Sequence, residues 1–169
     1  ALDVLINNAG AQGYAPIEQI SVEAFHQSFN VNVLGPILTI QAALKLFGDK
    51  GGNIINISSG ASKYPLPNAS LYSSTKAALD AFTIALSKEL GVKNVRINSI
   101  LPGATDTEGA ASAGVTAGSE YEKMFIEKAP LGRRGQPADI AKTAVFLASD
   151  DAAWITGELI SVSGGMYGF

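Results

Sequence analysis

Apolar and polar positions follow two alternating periods along this chain. Residues 3–7 form a short apolar run that closes in Asn7, Asn8, Ala9 and Gly10, the pattern of a buried strand ending in a tight turn. Ser21 then stands as a plausible N-cap to a helical pattern that runs to about Phe47, with Gly48 near its end. Residues 53–57 alternate as a second strand, closed by Ser58, Ser59 and Gly60. A helical pattern over 71–90 stops at Gly91, and a third strand over 95–101 ends in Pro102 and Gly103. Pro137 suits the first turn of a helix reaching about Ser149. A last short strand, 159–162, precedes Gly164 and Gly165.

Strands and helices in alternation imply right-handed crossovers and an α/β fold: a doubly wound, mainly parallel, Rossmann-like sheet covered on both faces. Ligands bind outside the carboxyl ends of such strands. Three predicted strand ends therefore share one cleft: the turn from Asn7 to Gly10, the pair Ser58 and Ser59, and the run from Pro102 through Thr105. Residues 105–119 break the alternation, being dominated by Gly, Ala, Ser and Thr. A segment of that composition buries little surface and reads either as a loose surface loop or as a mobile lid. Its place directly after a cleft-facing strand end favours a substrate lid over residues 105–129. The 71–90 helix carries apolar or small residues on more than one side, so one face is expected on the sheet and another against a partner subunit.

Composition narrows the function. With 47% hydrophobic and 16% charged residues, the 169-residue chain suits a single globular domain. The net charge is −3 and only Arg133 and Arg134 form a basic pair, which argues against nucleic acid as a partner. No cysteine is present, excluding disulfides, thiolate metal sites and a cysteine nucleophile; this fits a cytoplasmic setting. The single histidine, His26, has no second histidine or carboxylate at metal spacing and reads as a helix-surface residue, so no metal site is expected. No apolar stretch approaches the ~20 residues of a membrane span, and no basic region precedes the first apolar run as in a signal peptide.

Tyr72 and Lys76 are the most suggestive candidates for chemistry. Four residues apart on a helix, their side chains share a face. A phenol titrates near ~10 in isolation, and a neighbouring cation favours the phenolate, bringing the hydroxyl toward useful proton transfer. Such a pair also arises readily by chance. Ser59, at a strand end thirteen residues earlier, could donate a hydrogen bond to a substrate carbonyl in the same cleft, or simply cap a turn. Asn32 lies inside the first long helical pattern, just before Gly35 and Pro36, a combination that suggests a kinked or water-bridged helix.

These residues and their order resemble the single-domain short-chain dehydrogenase/reductase family. The run Asn7 to Gly10 matches its NNAG turn, Asn32 to Gly35 its N-x-x-G, and Asn56 to Ser59 its serine strand end. Tyr72 to Lys76 matches Y-x-x-x-K, and Asn94 to Asn98 with Pro102 to Thr107 matches the segment ending in P-G-x-x-x-T. Pro130 to Arg133, Asp139 to Ala141, and Thr156 with Gly157 through Gly164 and Gly165 match its C-terminal part. The resemblance implies an NAD(P)-dependent oxidoreductase that interconverts a carbonyl and a secondary alcohol. Tyr72 would be the proton donor or base, and Ser59 would polarise the carbonyl oxygen. Lys76 would lower the tyrosine pKa and hold the nicotinamide ribose, while Asn32 would fix a relay water. Asn8, Ala9, Gly10, Tyr72, Lys76, Pro102, Gly103, Thr105 and Thr107 would contact NAD or NADP. The resemblance further implies a homo-oligomer, dimer or tetramer.

The run from Ser163 to Tyr167 looks most like beta-ketoacyl-acyl-carrier-protein reductases, with sugar and polyol dehydrogenases of the same family as the alternative; Ser163 stands where the family often has Asp or Asn. No G-x-G-x-x-G follows the first strand. In the family a glycine-rich turn and two or three strands precede NNAG, so residues 1–169 are expected to be the C-terminal part of a longer domain, with the strand at 3–7 left as an apolar edge. The acidic or basic residue that separates NAD from NADP lies in that earlier region. A reading from another class is a non-catalytic scaffold derived from such an enzyme.

Overall fold

The structure, a computed structural model, describes residues 1–166. Tyr167, the end of the C-terminal run singled out above, lies outside the described residues. Four parallel strands form one sheet in the order β1 (Val4–Asn7), β2 (Gly52–Ile57), β3 (Val95–Pro102) and β4 (Leu159–Val162). Neighbouring strand ends lie level: Asn7 is opposite Asn56, Asn56 opposite Ser99, and Pro102 opposite Val162. The strands agree with the predicted ones to within a residue or so. Among the described residues β1 is an edge strand, and its Ile6 is 47% exposed.

Side chains alternate between the faces of β2, and each face has its own core. Ile54 packs with Ile40, Leu90, Val95 and Ile97 beneath α2 (Gly35–Ala43) and α3 (Ser70–Leu90). Ile55 packs with Ile100, Ala144, Leu147 and Ala152 on the opposite face, under α6 (Pro137–Ala148). Helices on both faces of a parallel sheet make the fold doubly wound, as expected.

The single helix expected over 21–47 is instead two helices joined by a widened turn. Ser21 does cap α1 (Val22–Phe29), its hydroxyl accepting the Ala24 N–H at 3.1 Å. The backbone then opens into a π-helical turn, Asn30–Leu34, before α2, which ends at Ala43. Pro36 has no N–H to return to the carbonyl of Asn32 one turn earlier, which is the physical reason for the break. Phe47 lies beyond α2, bridged to Leu2.

The 105–119 run is also more regular than its composition suggests. It contains α4 (Glu108–Ser112), capped by the Thr107 hydroxyl, and leads to α5 (Glu120–Lys128), capped by Ser119. The predicted helix from Pro137 is α6, held at its start by a reciprocal Gln136 and Asp139 capping box. On α3 the buried face mixes apolar residues such as Leu71 and Leu79 with polar ones, and apolar residues also lie on the exposed face. The buried polar residues include Ser73, Thr75, Lys76, Asp80 and Thr83, whereas Phe82 and Ile84 are exposed. No helix among the described residues is long and apolar enough to cross a membrane.

Candidate active site

The carboxyl end of β2 delivers Ser58 and Ser59 to the start of α3. Ser59 is extended, and its hydroxyl accepts the Ala61 N–H at 3.1 Å, opening a short 3₁₀ turn. The Ser58 hydroxyl donates to the Lys76 carbonyl at 3.3 Å, fastening the strand end to α3. Tyr72 and Lys76 lie one turn apart and both are buried. The Lys76 ammonium donates to the Ile57 carbonyl at 2.9 Å and lies 5.8 Å from the centre of the Tyr72 ring.

Burial pushes the Tyr72 phenol above its ordinary value, and a hydrogen bond with Ser59 acts in the opposite direction. Lys76, expected to lower it, is not among the causes of the shift. The ammonium is itself desolvated, and that brings its pKa down to about 8 even though Asp80, one turn along α3, favours its charge. Burial likewise raises the Asp80 carboxyl, against the pull of the Ser62 and Ser58 hydroxyls and the Lys63 and Lys76 charges.

Asn32 stands behind this centre. Its Nδ2 donates to the Ala11 carbonyl at 2.8 Å and to the Thr75 hydroxyl at 2.9 Å, and its Oδ1 accepts the Ala11 N–H at 2.7 Å. Thr75 in turn donates to the Tyr72 carbonyl at 2.7 Å. Every polar atom of the Asn32 side chain is thereby occupied, and the side chain ties the turn after β1 to α3. A Cβ on Gly10 would lie 3.4 Å from the Lys76 ammonium and 3.6 Å from Asn32 Oδ1, so this backbone runs close past the centre. At Gly103 the approach is closer still: a Cβ there would fall 2.8 Å from the Ser163 Cα, within contact, so only glycine fits.

A cavity of about 960 Å³ opens over these groups. Ser59, Tyr72 and Lys76 line it together with Asn8, Gly10, Pro102, Gly103, Thr105 and Thr107. Two expected residues are elsewhere: Ala9 is exposed and does not line the cavity, and Asn32 is fully enclosed behind its wall. Thr105 and Thr107 also serve the backbone, Thr105 donating to the Gly103 carbonyl at 3.0 Å and Thr107 capping α4. His26 is exposed on α1, its ring edge against Phe25.

Sequence reasoning assigned no role to a row of polar side chains beneath the site. Thr39 donates to Asn7 Oδ1 at 2.6 Å, Asn7 Nδ2 to Asn56 Oδ1 at 2.9 Å, and Asn56 Nδ2 to the Thr83 hydroxyl at 3.0 Å. Thr83 donates to the Leu79 carbonyl at 3.0 Å, so Ser99, 2.8 Å away, is the donor to Thr83. The only sequence signal for this row was an Asn near the end of both β1 and β2. Arg134 was likewise noted only as half of a basic pair. Its buried guanidinium meets Glu122 at 3.1 Å, Asp106 at 3.2 Å and the Thr105 carbonyl at 3.2 Å, joining α5 to the segment after β3.

A family model described as Enoyl-(Acyl carrier protein) reductase matches residues 1–167. The chain belongs to the short-chain dehydrogenase/reductase family. It is 49% identical over 165 residues to an uncharacterized oxidoreductase of Methylorubrum extorquens, covering 98% of this chain and 66% of that protein. To the 3-oxoacyl-[acyl-carrier-protein] reductase FabG of Chlamydia trachomatis it is 40% identical over 167 residues, covering 98% and 65%. Among solved structures, the angucycline C-6 ketoreductase LanV with bound NADP is similar at a TM-score of 0.90 and 37% identity, covering 98% of this chain and 63% of that one. The chain thus spans just under two thirds of the length of these relatives. In this short-chain dehydrogenase/reductase, Asn8, Gly10, Ser59, Tyr72, Lys76, Pro102, Gly103, Thr105 and Thr107 of the family pattern line the cavity, Asn32 lies behind its wall, and the C-terminal matches such as Pro130 to Arg133 and Thr156 with Gly157 lie outside it.

Proposed function

We propose that this chain is the catalytic part of an NAD(P)-dependent oxidoreductase interconverting a carbonyl and a secondary alcohol. One observation carries the reading: the Ser59 hydroxyl, the Tyr72 phenol and the Lys76 side chain line the same cavity, with the Lys76 ammonium 5.8 Å from the centre of the Tyr72 ring. The cradle fits the nicotinamide end of the cofactor. Gly10 and Gly103 give it side-chain-free walls, Asn8, Thr105 and Thr107 give it polar edges, and Lys76 gives it a cation. The bound NADP of the LanV structure supports the same cofactor class. When bound, the nicotinamide supplies the hydride in reduction or takes it in oxidation.

The chain's own residues handle the proton and the oxygen. Ser59 holds the carbonyl oxygen by a hydrogen bond and favours the negative charge that develops there. Tyr72 gives its phenolic proton to that oxygen in reduction and takes it back in oxidation. Lys76 stabilises the phenolate left behind, because a cation kept in low dielectric interacts strongly with an adjacent anion. Asn32, its side chain committed to Ala11 and Thr75, acts by fixing the loop and helix; a relay water at this point would be held by backbone atoms. Residues 105–129 form the substrate lid within the single domain.

The FabG relative is named for a 3-oxoacyl-[acyl-carrier-protein], one substrate class within this reaction; which class this chain takes is decided by its own cavity wall. Exposed Leu34, Leu38, Phe82 and Ile84 on or beside α2 and α3 support a homo-oligomer, dimer or tetramer, and the cysteine-free composition goes with the cytoplasm. The test is oxidation of NADH and of NADPH by the full-length protein with a panel of ketones, followed at 340 nm. Turnover is expected with one or both, and Tyr72→Phe should lower kcat by about 10²–10⁴ while leaving cofactor binding in place. Equal turnover in Tyr72→Phe would overturn the assignment.

A further inference from the structure

The composition of the cavity wall narrows the substrate beyond its reacting carbonyl, on the reading just given. Among the described residues Lys76 is the only charged side chain that lines it, and that ammonium is already engaged by the Ile57 carbonyl and the Tyr72 ring. A carboxylate or phosphate on the substrate would leave water without finding a counter-charge, a penalty of several kcal/mol per ion. A polyol fares little better. The hydroxyls and amides it could use, among them Gln12, Asn68, Thr105 and Thr107, are scattered among a majority of apolar side chains.

What the wall offers instead is ring and thioether surface. Tyr14 lies on the turn that follows β1, and its ring centre is 5.6 Å from that of Tyr72, tilted by 45°. Although it lines the cavity, 48% of Tyr14 remains exposed, so a broad aromatic surface stands open beside the reactive hydroxyl. Its position is fixed: the Ala15 N–H donates to the Asn68 carbonyl at 2.8 Å, and Asn68 holds the left-handed conformation at φ 64° that Asn tolerates better than most residues. The same cavity is lined by Tyr121, Met124 and Phe125 of α5 and by Leu66 and Val115. Arg134 clamps α5 in that place through Glu122.

We propose that the cavity selects an uncharged, ring-bearing ketone or secondary alcohol, its ring held against the aromatic and thioether surface of Tyr14, Tyr121, Met124 and Phe125, and its oxygen on Ser59 and Tyr72. Flat apolar rings gain most from such a slot, because aromatic faces bury large areas while giving up few rotamers. A flexible acyl chain presents no face to Tyr14 and loses more freedom on binding.

The test uses the full-length protein with nicotinamide cofactor and three probes: 2-tetralone, the acetoacetyl thioester of N-acetylcysteamine, and the anion 5-ketogluconate. The kcat/KM for 2-tetralone is expected to exceed both others by tenfold or more. Tyr14→Ala should lower that value about tenfold, chiefly through KM, and change the thioester less than threefold. Preference for the anion or the thioester, or an equal effect of Tyr14→Ala on all three, would overturn the proposal. Calorimetric titration of the cofactor-loaded protein with 2-tetralone separates the ligand class from the chemistry. Tyr14-dependent binding without turnover of any ketone would uphold the ring-selective slot and sink the oxidoreductase reading. Absence of both binding and turnover would overturn both.

Discussion

The centre at the start of α3 and the segment over residues 105–129 both contribute walls to one cavity and are built on contrary plans. The first is buried and polar: Tyr72, Thr75, Lys76 and Asp80 are all enclosed, and the row from Thr39 to Ser99 links the sheet to α2 and α3. The second is made of short capped helices and small residues, with Tyr121 more than half exposed and its place fixed chiefly by Arg134. Groups that move protons need fixed distances and low dielectric, which only an over-determined interior supplies. Groups that choose among substrates need only a wall of the right shape, which a lightly anchored segment can supply and readily change.

Perturbing the buried side should have the larger effect. Lys76→Met is expected to lower kcat by a hundredfold or more, measured with any ketone the wild-type protein reduces. The same residue gives the wild-type protein a distinctive pH dependence. The ammonium has a folded-state pKa near 8 against the ordinary 10.5, so between those values the unfolded chain binds more protons than the folded one. Stability attributable to Lys76 therefore rises as pH climbs from about 8 toward 10.5, by on the order of 3 kcal/mol at most, and is flat below 8. Urea unfolding at a series of pH values should show this rise in the wild type and its loss in Lys76→Met. A wild-type slope of the opposite sign would break the account of Lys76 as a desolvated cation.

Asn56→Ala strikes the supporting row without touching the cavity. It leaves the buried Asn7 Nδ2 without its acceptor, at a cost of about 1–3 kcal/mol read as a lower urea midpoint, while Thr83 keeps its bonds to Leu79 and Ser99. The smallest expected effect belongs to the other wall. Arg134→Met should leave the unfolding midpoint of the sheet nearly unchanged while raising the rate of limited proteolysis within residues 105–129 severalfold. Loss of global stability equal to that of Asn56→Ala would show that the two walls are not built as differently as their contacts indicate.

How far the sequence revealed these walls follows from the range of the forces that make them. The strands and the helices α3 and α6 were legible because their periodicity and caps are local: NIINI alternates, Gly91 stops one helix and Pro137 starts another. Residues 21–47 carried a long apolar period, and the break at Asn32 was signalled only by the nearby Gly35 and Pro36. The helix α4 was hidden because Ala, Gly and Ser give no apolar stripe, although Thr107 capped it in plain view. Tyr72, Lys76, Ser59 and Asn32 stood out as a group through their family spacing, since each alone is commonplace. Asn7, Asn56 and Ser99 meet through strand pairing across more than forty residues each, and Arg134 meets Asp106 and Glu122 only after α5 has folded back. Nothing local marks such partners. Tyr14 was missed for the same reason, its neighbours being Tyr72 and Asn68.

The polar row beneath the site also guards how the chain comes together. Side chains in a strand change face with each residue, so sliding β1 by one position along β2 would turn Asn7 away from Asn56 and present Ile6 in its place. The apolar residues on either side tolerate such an error fairly well, one isoleucine resembling the next. The amides and hydroxyls do not, because each would then be shut away from water with nothing to bond. The Thr39–Asn7–Asn56–Thr83–Ser99 chain thus acts as a key that fits one alignment of three strands, proofreading their assembly before any substrate arrives.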